Sequence, residues 1–167
     1  MDSLDLVTVY ARNCSVKAIP RAVAEPFLEA NHRMGYCKSR YRFGLFVERS
    51  TGAGESSFPP GTLVAVASFS NPRNMTEKGG SARSFEWLRY ASLEGVRVVG
   101  GMSKLLRTFV DAKHPDDVMT YVDASASGGD AYITLGFENE GLCGGSGYNN
   151  YKYRKKFLYL DNQTVSK

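Results

Sequence analysis

The sequence predicts an α+β fold built on a mostly antiparallel sheet. Two segments with strand character, 41–47 and 63–69, flank a stretch rich in glycine and proline, which is typical of an antiparallel hairpin with a long loop. The segment 102–112 has the apolar spacing of an amphipathic helix that packs on a sheet. At 167 residues, 43% of them hydrophobic, the chain has the size of one domain with a real core. We therefore expect a single domain over residues 1–167.

The first half of the chain predicts further elements in order. Alternating β-branched residues over 6–10 predict an edge strand, and a helical stripe over 20–32 predicts a first helix, with Pro26 as a kink or as its true start. The polar segment 71–80 predicts a loop. The alternating segment 84–92 predicts the strand that follows it.

The second half contains the clearest helix. Its apolar residues are spaced at i, i+3, i+4, i+7 and i+8: Met102, Leu105, Leu106, Phe109 and Val110. The segment 118–122 predicts a buried strand, and 129–135 predicts a short helix closed by Gly136. A glycine-rich loop over 141–147 then precedes a final strand over 151–160, whose polar face is cationic.

Composition narrows the function classes. The net charge is +4 and the pI is about 9.0, which suits an anionic partner such as nucleic acid or a phosphate-bearing cofactor, although many mildly basic proteins bind no nucleic acid. Three widely spaced cysteines and two histidines predict neither a disulfide framework nor a zinc site with four protein ligands. No apolar run is long enough to cross a bilayer and the start is acidic, so we expect a protein of the cytoplasm with no metal and no membrane partner.

The strongest functional signal is a strand, then two glycines, then a helix. Gly100 and Gly101 would let backbone amides approach an anion, and a helix start adds unpaired N–H groups and a partial positive charge. Val99, Ser103 and Lys104 would complete this cofactor-binding mouth. The pattern lacks the ending of a P-loop and the third glycine of a dinucleotide fingerprint. A tight turn without a ligand remains the alternative.

A second group of residues could carry chemistry. Asp123 at a strand end could accept a proton or orient an amine, and Tyr132 in the next helix could donate a proton. A helix cap and a core aromatic are the alternatives for these two residues. Arg89 among apolar residues needs a partner, either Asp123 or a substrate phosphate.

Two weaker signals concern substrates. Asn31 and His32 at the end of the first helix could contact substrate, although a structural role is the commoner one for such a histidine. The aromatic and basic residues over 148–159 could bind nucleic acid. Lysines that protect a sheet edge from aggregation would look the same.

With these residues in place, the chain resembles the GNAT acyltransferase superfamily across nearly its whole length. Arg97-Val-Val-Gly-Gly-Met102 is similar to the Gln/Arg-x-x-Gly-x-Gly/Ala pyrophosphate loop, with Met102 in place of a small residue. Ala131-Tyr-Ile-Thr-Leu-Gly-Phe137 is similar to the tyrosine-bearing helix that ends in Leu-Gly-Phe. The resemblance implies a GNAT-like α+β fold with helices on both faces of a splayed sheet. It also implies acetyl-CoA or a related CoA-type donor.

Within that superfamily the chain looks most like the phage Mom-type branch and the GNAT-like domains found with phage endonucleases. Functionally important positions of Mom-type proteins match four residues: Arg89, Ser103, Asp123 and Tyr132. The resemblance implies acyl transfer to an amine, with adenine in DNA as one acceptor. Asp123 would orient or deprotonate the amine, Tyr132 would protonate the departing thiolate, and Arg89 would position Asp123 or the substrate. The competing hypotheses are an ordinary N-acetyltransferase for small amines or proteins, and a binding module for nucleic acid without catalysis.

Overall fold

A computed structural model describes residues 6–49, 58–77, 80–125, 129–143 and 149–159. The chain divides into two compact units, one of residues 1–71 and 87–114, the other of residues 72–86 and 115–167. The strands are β1 Val7–Tyr10, β2 Cys14–Ala18, β3 Tyr41–Val47, β4 Leu63–Phe69, β5 Arg73–Glu77, β6 Gly80–Ser92, β7 Val96–Val99, β8 Asp117–Asp123, β9 Glu138–Cys143 and β10 Asn150–Lys156. The helices are α1 Arg21–Asn31, α2 Gly101–Lys113 and α3 Gly129–Thr134, with a short 3-10 helix at Ala11–Asn13.

The first unit is an antiparallel sheet with two amphipathic helices. Its strands follow the order β2, β3, β4 and then the second part of β6, and β1 pairs separately with β7 in parallel. The core is aromatic, because the Phe69 ring stacks on Phe109 with centroids 3.9 Å apart and on Trp87 at 5.4 Å. All three side chains are buried. The predicted hairpin is confirmed, with Tyr41 of β3 paired to Phe69 of β4.

The second unit contains the first part of β6, paired antiparallel with β5 and parallel with β8. Strand β10 lies between β8 and β9 and is antiparallel to both. A buried polar network joins the strands, since Ser84 hydrogen-bonds Asp117 at 2.5 Å and Arg154 pairs with Asp117 at 2.9 Å. The α+β class with a mostly antiparallel sheet flanked by helices is therefore confirmed. The single domain expected from chain length stays a prediction.

The structure also differs from the sequence-based expectations. The segment 71–80 is not a loop, because it contains β5, and β9 occupies part of the glycine-rich segment 141–147; residues 144–148 lie outside the described ranges. Both strands are polar and are stabilised by pairing with β6 and β10, which local alternation cannot reveal. Helix α1 already begins at Arg21, so Pro26 lies inside it.

No helix in the ranges that the structure describes is both long enough and apolar enough to span a bilayer.

Candidate functional site

The turn between β7 and α2 has the geometry of an anion-binding helix start. Gly100 caps the helix in the left-handed conformation, with φ +80°, where other residues cost about 1–2 kcal/mol. Lys104 N–H donates to the Gly100 carbonyl at 3.1 Å and closes the first helical turn. The amides of residues 101–103 precede that bond, so they have no carbonyl partner within the helix. They are the groups that the sequence predicted for an anion.

Gly101 is required by close packing. A Cβ atom there would lie 2.6 Å from Val98 Cγ1 and 3.1 Å from the Tyr90 hydroxyl oxygen. Gly101 is buried, whereas Gly100 is exposed. The two glycines therefore have different roles, since Gly100 makes the turn and Gly101 lets the turn pack against Val98 and Tyr90.

Lys104 joins the start of α2 to the N-terminal segment. Its ammonium donates to the Ala11 carbonyl at 2.9 Å and to the Cys14 carbonyl. An ammonium has three N–H groups, so one remains for a ligand. Burial raises the pKa of the nearby Cys14 thiol, with the Lys104 charge opposing it. Lys104 therefore links the start of α2 to the N-terminal segment and is also a candidate anion ligand.

A cleft of about 490 Å³ opens beside this turn. It is lined by the α2 start and by the segment after β1: Tyr10, Ala11, Arg12, Val99, Gly100, Ser103, Lys104, Arg107, Thr108 and Asp111. Four of the five predicted cofactor-binding residues line this cleft: Val99, Gly100, Ser103 and Lys104. The fifth, Gly101, is buried. The sequence did not predict the opposite wall, where the Arg12 guanidinium lies 4.6 Å from the centre of the Tyr10 ring.

Asn31 and His32 lie at the end of α1, beside a second cleft of about 440 Å³. Asn31 donates from Nδ2 to the Phe27 carbonyl and accepts at Oδ1 from the Glu94 N–H, both at 2.8 Å. The Asn31 amide therefore fastens the end of α1 to the loop before β7. A structural role, one of the two left open by the sequence, is observed for Asn31.

His32 is held in a defined tautomer. Its Nδ1 accepts a hydrogen bond from the Met34 N–H at 3.0 Å. Burial lowers the pKa of His32, and the charges of Arg89 and Arg33 lower it further. A neutral imidazole that accepts at Nδ1 carries its hydrogen on Nε2. Nε2 is consequently suited to donate a hydrogen bond to a substrate.

Arg89 holds the segment after α1 against β6. Its Nε donates to the Gly35 carbonyl at 3.0 Å and its Nη1 to the Leu88 carbonyl at 2.9 Å. The pairing of β4 with β6 shifts here, because Ser68 faces Arg89 while Phe69 faces Trp87. Leu88 is the extra residue of this β-bulge, a feature that re-aims backbone groups and has no sequence signal.

In the second unit, Asp123 ends β8 in a local turn. Its Oδ1 accepts from the Ser125 N–H at 2.9 Å and from the Ser125 hydroxyl at 2.7 Å. Such a turn is a common use of aspartate after a strand. A catalytic role for Asp123 stays a prediction.

Tyr132 of α3 packs against other aromatic rings of that unit. Its ring centroid lies 5.5 Å from that of Phe137 and 6.1 Å from that of Tyr153. Burial raises the pKa of Tyr132, and a hydrogen bond with Thr120 opposes the shift. The phenol is protonated at neutral pH, as a proton donor must be. The same contacts also fit a core aromatic, so its catalytic role stays a prediction.

The cationic face of β10 is partly neutralised within the protein. Arg154 pairs with Asp117 and with Glu140, at 2.9 and 3.0 Å. Less charge is therefore left for a nucleic acid than the sequence suggested.

Solved structures of acetyltransferases share this architecture. The NatC complex bound to Gag peptide and CoA matches with a TM-score of 0.60 at 11% identity, over 87% of this chain and 99% of that one. Spermidine N-acetyltransferase SpeG of Vibrio cholerae matches with 0.62 at 10% identity, over 87% and 94%. NAA60 of Arabidopsis thaliana in complex with acetyl-CoA matches with 0.60 at 14% identity, over 86% and 99%.

The chain has the GNAT fold. No protein-family model and no curated protein matches the sequence. The GNAT fold predicted from residues 97–102 and 131–137 is thus confirmed as a fold, and the Mom-type branch stays a prediction.

Proposed function

We propose that the protein transfers an acyl group from a CoA-type donor to an amine. The observation that carries the proposal is the left-handed Gly100 turn at the start of α2, beside a cleft that Gly100, Ser103 and Lys104 line. The GNAT fold supports it, since the NatC and NAA60 structures were determined with CoA or acetyl-CoA.

The diphosphate of the donor would bind at the α2 start. The amides of residues 101–103 and the helix dipole favour an anion at this position. The Ser103 hydroxyl and the remaining N–H of Lys104 would add two donors, and Val99 would flank them. Because Lys104 is already fixed by two carbonyls, this donor needs little further ordering on binding.

In the reaction the amine nitrogen attacks the thioester carbonyl carbon, the C–S bond breaks and the thiolate accepts a proton. We assign the Leu88 amide of the β-bulge to hydrogen-bond the carbonyl oxygen as negative charge develops on it. Arg89 acts as a positioning residue, because it holds both the Leu88 carbonyl and the Gly35 segment. Tyr132 is our candidate for the proton donor to the thiolate, and Asp123 is our candidate for orienting the amine or accepting the proton that the amine loses.

For the acceptor we assign a contact to His32 Nε2 and a supporting role to Asn31. Adenine in DNA remains a second candidate, based on the Mom-type resemblance and on the lysines of β10. The pairing of Arg154 within the protein weakens it. Small amines and peptide amino groups fit the GNAT fold equally well.

A two-stage experiment tests this proposal. The first stage is a thermal-shift titration with CoA and acetyl-CoA, with adenosine as the control that lacks the diphosphate, since a ligand of the folded state raises the melting temperature. Stabilisation by CoA and not by adenosine is the expected result; no stabilisation by CoA would overturn the proposal.

The second stage supplies acetyl-CoA with spermidine-like amines, peptides and digested DNA in separate reactions. Mass spectrometry of each product identifies the acceptor class. Product from amines or peptides alone removes the adenine hypothesis. Stabilisation by CoA without any product would indicate a binding module.

A further inference from the structure

A buried serine of β4 has no hydrogen-bond partner. The Ser68 side chain is 0% exposed, and among the residues that the structure describes no group hydrogen-bonds its hydroxyl oxygen. A buried hydroxyl without a partner destabilises the folded state, because it has lost its hydrogen bonds to water. Alanine at this position would avoid that loss. The hydroxyl therefore points to a partner outside the folded chain.

Ser68 lies in a row of three polar side chains on one face of the sheet. It is paired with Arg42 of β3 on one side and with Arg89 of β6 on the other, and directly paired residues project from the same face. Val66, two residues before Ser68, is on that face as well. It belongs to the core cluster that includes Leu28 of α1. The row therefore continues the surface that α1 covers.

The segment 33–40, which follows the end of α1, covers this row. The Arg89 Nε donates to the Gly35 carbonyl at 3.0 Å. The Arg42 Nη1 donates to the Ser39 carbonyl at 2.8 Å. The segment contains no helix and no strand, so a small number of hydrogen bonds holds it, and it can open locally while the sheet stays folded. Opening would expose the hydroxyl between the two arginines and release some of their N–H groups.

We propose that the segment 33–40 opens to admit the acceptor, and that the Ser68 hydroxyl then hydrogen-bonds an oxygen atom of the acceptor. This inference rests on the proposed function, because it assumes an amine that reacts at the carbonyl group bound by the Leu88 amide. The bulge at Leu88 lies opposite Ser68 and Phe69, so an acceptor at Ser68 lies beside that carbonyl group. Guanidinium groups only donate hydrogen bonds. An oxygen atom therefore complements the row, whereas a second ammonium group does not.

Hydrogen exchange of the full chain tests the opening of the segment. In the closed state the Tyr36 N–H donates to Glu29 Oε1 at 2.9 Å. The Arg40 N–H donates to the Phe69 carbonyl, also at 2.9 Å. Ser68→Ala removes the unpaired hydroxyl from the closed state, so exchange of both amides should slow about five- to tenfold. The melting temperature should rise by about 2–4 °C.

Ser84→Ala is the matched control, because Ser84 is also 0% exposed but its hydroxyl hydrogen-bonds Asp117 at 2.5 Å. This variant should melt at a lower temperature than wild type. If Ser68→Ala lowers the melting temperature as Ser84→Ala does, the Ser68 hydroxyl has a partner in the closed state and the inference is overturned. Unchanged exchange of the Tyr36 and Arg40 amides would overturn it as well.

Steady-state kinetics test the contact with the acceptor. The substrates are acetyl-CoA and the peptide, nucleoside or amine that gives product in the mass-spectrometric assay. Ser68→Ala should raise the KM for that acceptor about tenfold, as the loss of one hydrogen bond predicts, and leave the KM for acetyl-CoA unchanged. An unchanged acceptor KM, or product from spermidine alone, would overturn the inference and leave the proposed function intact, since spermidine has no oxygen atom. If wild type gives no product from any acceptor, the inference fails together with the proposed function.

Discussion

Two helices of this protein follow a strand and a pair of glycines, yet their starts differ. Gly100 and Gly101 precede and begin α2, and the turn opens to a cleft of about 490 Å³ with Arg12 and Lys104 in its walls. Gly129 begins α3, and a Cβ atom there would lie 2.3 Å from the Tyr153 hydroxyl oxygen. Gly128 is outside the described residues.

From this difference we expect a glycine pair to bind an anion only where the helix behind it holds the turn in place. The α2 start is built on a 13-residue helix with four buried residues, whereas α3 has six residues and packs through the half-buried ring of Tyr132. A long, packed helix holds its first amides in place. The glycine of α3 instead makes room for an aromatic ring, so we expect ligand binding at α2 and not at α3.

The largest change is expected in kcat on substitution of Tyr132, which separates the chemical step from donor binding. Tyr132→Phe removes the proposed proton donor and keeps the ring contacts with Phe137 and Tyr153, so kcat should fall about 100-fold or more. CoA affinity should stay unchanged. Steady-state kinetics and calorimetry measure the two quantities. An unchanged kcat would leave Tyr132 with a packing role only.

The next effect tests the α2 start itself. Gly101→Ala places a methyl group 2.6 Å from Val98 Cγ1, so the turn must shift and displace the first amides. We expect CoA affinity to fall about tenfold, with a loss of about 1–3 kcal/mol in the free energy of unfolding from overpacking. Calorimetry and denaturant unfolding check both values. Full affinity in this variant would mean that these amides do not bind the donor.

Gly129→Ala is the matched change at α3. The contact with the Tyr153 hydroxyl should cost about 1 kcal/mol of unfolding free energy after the gain in helix propensity. CoA affinity should not change, in contrast to Gly101→Ala. If both alanine variants lose CoA affinity equally, the distinction between the two helix starts is wrong.

The smallest expected effect is on the pH dependence of stability and concerns His32, which lies at the end of α1. Its folded-state pKa is lowered, so below the unfolded value of about 6.5 the unfolded chain binds the proton more readily. Stability is therefore lost as the pH falls through the folded pKa. The stability lost between about pH 7 and about pH 5.5 should be smaller in His32→Asn than in wild type, as denaturant unfolding can measure. Equal losses would mean that His32 does not titrate differently in the folded state.

The sequence predicted the parts of the site that depend on local structure. The Gly100 turn and α2 follow from glycine chemistry and helical spacing within about one helical turn. The Arg12 wall could not be predicted, because it depends on the parallel pairing of β1 with β7, in which Tyr10 faces Val99. These residues are far apart in sequence, and two short strands carry no signal for each other.

The same limit explains the other differences. The bulge at Leu88 is a property of the β4 and β6 register, and β5 and β9 are polar strands that exist through pairing. The cationic pattern of β10 was visible in the sequence. The carboxylates of Asp117 and Glu140 that neutralise Arg154 were not assigned to it, since only the folded sheet brings them together.

Amide NMR of the ¹⁵N-labelled protein, titrated with CoA, shows directly whether the start of α2 binds the donor. We expect the amide resonances of Gly101, Met102 and Ser103 to shift strongly and saturably, while that of Gly129 shifts little. Shifts that leave residues 101–103 unaffected would contradict this expectation, whatever else CoA perturbs.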